Sequence, residues 1–443
     1  MNLFHLTLTL GLVGSAALRG PEAPSPKADD KWTQEELEVE TAKIQREIEE
    51  LRGQKFSSPV KVLVTDEKGL VDYAKARIGK TETEATLHAD EMALKLLGLM
   101  GSDKDYLETT FELLEGQVGG FYDPQTDTFY LMDRFTGGLA RIILSHELTH
   151  ALDDQLYDID GTLEKIAGTT DAELAYHAVV EGSGLGTMNQ WMKAHKDQWT
   201  MEDLLGAQDL SGGLDKAPAA LWKPLLGSYW LGVSFLKKTE KWRSVQMSMG
   251  VPEVDSVKTG FARPPRSTEQ VLHPDKYWVE DSADEPLSVG VTVAESTLPE
   301  GWRVTGRDTL GELYLALIST PASVRDSVNP ADPAAALKVQ FTNDAATGWG
   351  GDSLVLLEKG RASYLHLVTA WDSEKDAAEF EAQMTAVLPE IERLKARGGW
   401  IGGADVQRDG AVVQVRSYAN VDEADLAALP GTIAYSVRKT EER

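Results

Sequence analysis

The chain has 443 residues, 42% apolar and 26% charged, a globular composition too long for one ordinary core, so two or three domains are expected. A net charge of −27 would repel nucleic-acid phosphates and anionic lipid, so no nucleic-acid partner is expected. The absence of cysteine excludes disulfides, thiolate metal sites, a cysteine nucleophile and a lipidated N-terminal cysteine.

In chain order, MNLFHLTLTLGLVGSAALRG carries a short apolar run from Leu6 to Val13 followed by small residues. It reads as a secretory leader over residues 1–18, although no Lys or Arg precedes the run and the first basic side chain is Arg19. The run falls well short of the ~20 apolar residues of a membrane helix, and no later segment qualifies, so no membrane span is expected. The Pro-rich, charged stretch GPEAPSPKADD reads as a linker, residues 19–30. Residues 32–55 read as a charged amphipathic helix with Leu37, Ile44, Ile48 and Leu51 at helical spacing. Residues 59–66 alternate like a strand, and 68–99 read as helix broken near Gly79. QVGGFYDPQTDTFYLMD reads as a hairpin turning at Asp123-Pro124. LARIILSHELTHALDD is periodic and free of Pro and Gly, so it predicts a helix whose core face is Leu144, Leu148, Ala151 and Leu152. A further helix is expected over residues 170–193, capped by Thr170 or Asp171. Residues 206–249 read as mostly helical and Trp-rich, and residues 262–277 as Pro-bounded and irregular. After about Pro286, short strands such as SLVLLEKG and SYLHLVTAW alternate with helices such as residues 377–394. The expected class is α+β, with a mainly helical unit bearing a small sheet at residues 31–285 and a separate α+β sandwich-type unit at 286–443.

SHELTHALDDQ holds two histidines four apart with a glutamate directly after the first. On a helix, such residues lie about 40° apart around the axis and one turn along it, so His146 and His150 project side by side. That spacing suits two imidazole nitrogens on one zinc ion. Glu147, about 100° round, is placed to take a proton from a water on that ion. The sequence continuation of the metzincins would need Gly and His at positions 153 and 156, where this chain has Asp153 and Leu156. A glutamate on the following helix is the other source of a third ligand, and Glu181 follows Leu174 and Ala178 on an apolar stripe. A carboxylate expected to pack inward wants a cation, and Gly182 and Gly184 permit close approach of backbone. His177, one turn earlier, is the rival ligand, read instead as orienting Glu181 or as a half-buried histidine. Glu173 reads as a solvated side chain. Asp154, and less well Asp153, would accept a proton from the non-ligating nitrogen of a histidine.

A His-Glu-x-x-His helix followed by a helix with a glutamate ligand resembles the gluzincin zinc metallopeptidases. More closely, HELTHALDDQ, AVVEG, PPRSTEQVLHPDKY, GWGGD and WDSEKDAAEF resemble a group of exported or surface-associated bacterial and archaeal proteins classed as uncharacterised metallopeptidases. The resemblance spans about residues 119–380. Ser183 stands where that group often has an acidic residue. The resemblance implies a zincin-like domain, Zn2+ held by His146, His150 and Glu181, and Glu147 as general base. Gluzincins also use a His or Tyr after the third ligand to stabilise the oxyanion. His273 is the residue expected to do so here, with Tyr277 and Tyr229 as further candidates; the bland reading of His273 is a packed loop. Glu269, close behind Ser267 and Thr268, reads as a helix-capping residue. TGWGGDSL lacks the Gly-Lys-Ser/Thr of a phosphate loop and reads as a turn with Trp349 packed inward. No Gly-x-Ser-x-Gly element supports a serine hydrolase.

The expected function is a secreted, periplasmic or cell-surface zinc metallopeptidase acting on peptide or protein substrates. The alternative is a non-catalytic zincin-like binding or surface protein whose C-terminal domain carries the main role.

Overall fold

The computed structural model describes residues 10–12, 32–81, 83–123, 126–206, 216–239, 250–329, 335 and 338–440. The expected leader and linker lie outside these residues, apart from Leu10–Leu12, which form a short strand, β1.

The fold is α+β, with a helical N-terminal part and a C-terminal part built on a sheet. Helix α1 (Gln34–Arg52) opens with a capping box in which Thr33 and Glu36 satisfy each other's backbone N–H groups. Strand β2 (Lys61–Thr65) leads into α2 (Glu67–Thr81) and α3 (Glu84–Leu96), so the expected break falls after Thr81, where Thr83 caps a new helix, and not at Gly79. Helix α4 (Tyr106–Gln117) precedes the hairpin of β3 (Val118–Asp123) and β4 (Thr128–Met132). These strands form a four-stranded sheet in the order β1-β3-β4-β2, with β2 parallel to β4 and the other pairs antiparallel.

Helix α5 (Gly137–Tyr157) carries both histidines of the motif. Sequence periodicity gave it one core face, but it is buried from Gly138 to Asp153 except at Arg141. It ends where Asp158 takes a left-handed conformation and accepts the Gly161 N–H to start α6 (Ile159–Ile166). Helix α7 (Thr170–Ala194) is likewise buried all round over most of its length. Neither Thr170 nor Asp171 caps it; Asp308, 138 residues further along the chain, accepts both the N–H and the O–H of Thr170. After α8 (Met201–Gly206), helix α9 (Ala219–Leu236) packs along α7. The two backbones meet at Gly182 and Gly232: a Cβ on Gly232 would lie 2.0 Å from the Ala178 carbonyl oxygen. The rest of the Trp-rich region, residues 207–215 and 240–249, lies outside the described residues.

Helix α10 (Val254–Ala262) leads to two short helices, α11 (Thr268–Leu272) and α12 (Asp275–Trp278), where the prolines had suggested irregular chain. The C-terminal part comprises β5 (Ser288–Val293), β6 (Arg303–Asp308), α13 (Gly311–Ser319), α14 (Ala322–Arg325), β7 (Trp349–Lys359), β8 (Ala362–Trp371), α15 (Glu374–Ala396), β9 (Ala404–Asp409), β10 (Val412–Ala419), α16 (Glu423–Ala428) and β11 (Ile433–Arg438). Five strands pair in the order β6-β7-β8-β10-β9, all antiparallel, and β5 pairs with β11 in a separate ribbon. Period-two alternation serves both faces of the sheet. Leu354, Leu356, Leu365 and Leu367 join the core that also holds the helices, whereas Val355, Leu357, Tyr364 and Val368 join a second cluster beneath the ribbon. The main core runs without interruption from Leu37 to Ala419. Among the described residues, no helix is long and apolar enough to cross a membrane.

Candidate metal centre

The two buried helices α5 and α7 cross so that His146, His150 and Glu181 meet. His146 Nε2 lies 2.9 Å from His150 Nε2 and 3.2 Å from Glu181 Oε2, and His150 Nε2 lies 3.4 Å from the same oxygen. Four atoms bound to zinc at ~2.0–2.1 Å in a tetrahedron stand about 3.3 Å from one another. The three observed edges bracket that value. Gly184 makes the approach feasible, because a Cβ there would lie 2.7 Å from the Cε1 atom of each imidazole.

A hydrogen-bonded cluster is the competing account, and it fits less well. Two neutral imidazoles bring only one ring proton each. The Nδ1 atom of His150 and the Oε1 atom of Glu181 are buried with no hydrogen-bond partner among the described residues. His146 turns Nδ1 towards the Gly184 backbone at a geometry short of a full hydrogen bond. A buried polar set left this incomplete is costly unless a cation joins it. The electrostatics point the same way. Burial, and then the neighbouring His150, push His146 towards its neutral form. Burial alone would raise the Glu181 carboxyl, but the two imidazoles outweigh it and hold the group down at about 2. The carboxylate is thus held ionised by the positive character of its imidazole neighbours, a role that a divalent cation would take over once the imidazoles bind it in their neutral form. The donor set suits Zn2+, and imidazole with carboxylate also admits other divalent ions.

Glu147 is fully buried on α5, directly after His146. Tyr229, on α9, stacks on the His146 ring at a centroid distance of 5.7 Å. The Nε2 atom of His273 lies 3.1 Å from Glu312 Oε1. Glu312 also accepts from Thr342. Of the three residues considered for an oxyanion, Tyr229 meets the centre through the His146 ring, and the Tyr277 O–H is turned to the Arg263 carbonyl.

Several sequence expectations for the surroundings are corrected. Asp153, not Asp154, lies deepest, and neither bonds a histidine. Asp153 forms a buried ion pair with Arg52 at 2.6 Å and accepts from Ser183. Asp154 accepts from the Tyr122 O–H and the Ile159 N–H. Arg52 comes from α1, 101 residues before its partner, and no local pattern announces it. Glu173 is buried and accepts the Gly168 N–H, so it is not a solvated side chain. His177 is buried outright and not by half. Glu269 does not cap α11, a task performed by Ser267; it is buried against Lys276. Lys276 also reaches Asp284 and Asp372, so its ammonium already supplies the cation for that carboxylate group. In TGWGGDSL, Thr347 and Gly348 end a turn and β7 begins at Trp349, which packs inward as expected, while Asp352 accepts the Leu310 and Gly311 N–H groups and the Trp349 indole N–H.

Residues 300–428 match a domain of unknown function, DUF8575. The matched segment holds the five-stranded sheet with α13 to α16 and excludes His146, Glu147, His150 and Glu181. No curated protein and no solved structure matches the chain.

Proposed function

We propose that the protein is a zinc-dependent peptidase of gluzincin type, with His146, His150 and Glu181 as the metal ligands and Glu147 as general base. The observation that carries the reading is the triangle of Nε2, Nε2 and Oε2 atoms with edges of 2.9, 3.2 and 3.4 Å. A divalent ion bound there would supply Lewis-acid polarisation of a scissile carbonyl and would acidify a water. Glu147, held on the rigid helix between the ligands, takes the proton of the attacking water and returns it to the leaving amine. Tyr229 borders the centre from α9 and is better situated than His273 to face the developing oxyanion. A peptide substrate is favoured by the sheet edge beside α5. There β3 accepts the extended segment Leu10–Leu12 in antiparallel pairing, the geometry by which a peptide strand adds to an edge. In this reading residues 1–18 are an export leader and the protein works outside the cytoplasm.

One observation favours the second reading, a metal-stabilised binding or surface protein: the ligands and Glu147 are all at most 2% exposed. Elemental analysis of the purified chain, followed by hydrolysis of a mixed peptide library by wild type and Glu147→Gln, separates the two. The peptidase reading expects about one zinc per chain in both proteins and a rate lowered by about a hundredfold or more in the variant. Bound zinc with no hydrolysis in either protein would replace it with the second reading, and a metal-free chain that cannot be loaded would remove both.

A further inference from the structure

A second site lies away from the metal centre. Helices α9, α13 and α14 and the segment 338–343 enclose a cavity of about 240 Å³. Its lining is mixed: Leu313, Leu317 and Phe341 form an apolar side, Gln340, Thr342 and Asn343 a polar one, and Lys223 of α9 reaches it alongside Arg325 and Lys338.

Lys223 is only 7% exposed, yet it makes no hydrogen bond and no ion pair among the described residues. Its ammonium lies 5.9 Å from the Trp222 ring. The other two buried lysines of the described chain show what folding normally demands. Lys95 pairs with Glu91, and Lys395 donates to the Gly403 and Tyr418 carbonyls and to the Ser417 hydroxyl. Asp326 favours the Lys223 ammonium only through space, because Arg325 bonds both of its oxygens. The Arg325 guanidinium is itself spent on Asp326 and the Leu317 and Gly98 carbonyls. Burial, reinforced by Arg325, lowers the Lys223 ammonium to about 8, so the group is still a cation at neutral pH. A largely buried ammonium with no direct partner, facing a cavity, is a ready seat for an anion.

The anion's nature follows from the lining. Arg325 is committed to its own partners and Lys338 lies exposed at the rim, so one inner ammonium is available; it matches one carboxylate, whereas a phosphate dianion would call for several charged donors. The apolar side calls for a hydrocarbon body. The volume lies below the ~300–1,000 Å³ of pockets for drug-sized ligands, so the body is short. We propose that this cavity binds a small carboxylic acid with a short apolar body, its carboxylate on Lys223 and its hydrocarbon part between α13 and Phe341.

The test is a thermal-shift titration of the full chain with 4-methylpentanoate and phenylacetate, with their amides as uncharged counterparts and with inorganic phosphate. It is repeated on Lys223→Met, which removes a buried unpaired charge and so does not threaten folding, and on Lys338→Met at the exposed rim. The acids are expected to raise the melting temperature saturably, and the amides and phosphate are not. Lys223→Met is expected to weaken binding by about thirtyfold or more, and Lys338→Met by less than about threefold. No saturable effect of either acid up to about 10 mM, well above a millimolar dissociation constant, would overturn the proposal. So would equal binding of the amides, unchanged affinity in Lys223→Met, or phosphate acting in place of the acids. The readout does not involve metal or catalysis, so it stands or falls apart from the peptidase reading.

Discussion

At the scale of single residues, the centre depends on a missing methyl group. A Cβ at position 184 would press on both imidazoles at 2.7 Å, so Gly184→Ala is expected to spread the ligands and lower zinc affinity by about tenfold or more, with the helical circular dichroism retained. Competition against a chelating dye measures this, and unchanged affinity would contradict the convergence of the three side chains. Arg52→Ala tests the support behind the site. It leaves the Asp153 carboxylate, at 0% exposure, without its cation, and is expected to cost about 3–5 kcal/mol in urea unfolding. Adding Asp153→Asn should recover part of that loss; equal stability of Arg52→Ala and wild type would show the pair to be irrelevant. The sequence allowed the ligands to be read and not their supports. The i, i+4 histidines announce a shared helix face, and Glu181 stands out as a charge on an apolar stripe. Arg52 carries no such mark, since a lone arginine at a helix end is ordinarily solvated. Glu173 and Glu269 were misread for the same reason: local spacing says nothing of what a distant element lays over a carboxylate.

At the scale of elements, periodicity located the helices and the β3–β4 hairpin but misjudged their burial. A pattern that repeats every three or four residues implies one wet face, whereas α5 and α7 are covered almost all round because sheet, helices and C-terminal part enclose them. The start of α7 was hidden for another reason. Its first N–H is satisfied by Asp308, which no window around residue 170 contains. Asp308→Ala is therefore expected to destabilise the fold by about 1–2 kcal/mol, and Asp308→Asn by distinctly less, because the amide oxygen still accepts. Urea midpoints compare the two; equal effects would remove the capping role. The α7–α9 crossing makes a sharper demand. In Gly232→Ala the new methyl meets the Ala178 carbonyl, so the helices must part next to Glu181. A loss of about 1–3 kcal/mol accompanied by weaker metal binding is expected, and a loss of stability with unaltered metal affinity would separate the crossing from the centre.

At the scale of the whole molecule, buried carboxylates tie together segments remote in the chain, and one of them, Asp308, joins the helical part to the C-terminal part. Asp171 accepts from Thr268, Asp308 holds Thr170, and Asp352 holds the start of α13. Burial pushes Asp171 up to about 8, against its two Thr268 donors, and Asp352 up to about 7, against its N–H donors. The folded chain thus keeps protons that the unfolded chain has released well below neutrality, so these groups make stability fall as pH rises towards and through their folded values. Between about pH 7 and pH 9, above the histidine range, the melting temperature in chelator is expected to decline, and Asp171→Asn should flatten the decline. A profile that rises over that interval, or one that Asp171→Asn leaves unaltered, would count against this account. The α+β class was readable from the change of style near Pro286, from long helical periods to short alternating strands. The carboxylate seam was not, because each of its bonds joins residues remote in the chain.

That seam also imposes an order on biosynthesis. The helix that presents Glu181 begins on a carboxylate that leaves the ribosome 138 residues after Thr170, a delay of roughly ten seconds or more at ordinary rates of translation. Until then Thr170 lacks the acceptor for its N–H and O–H, and the start of the helix gains its final hold only from a chain whose second half is already emerging.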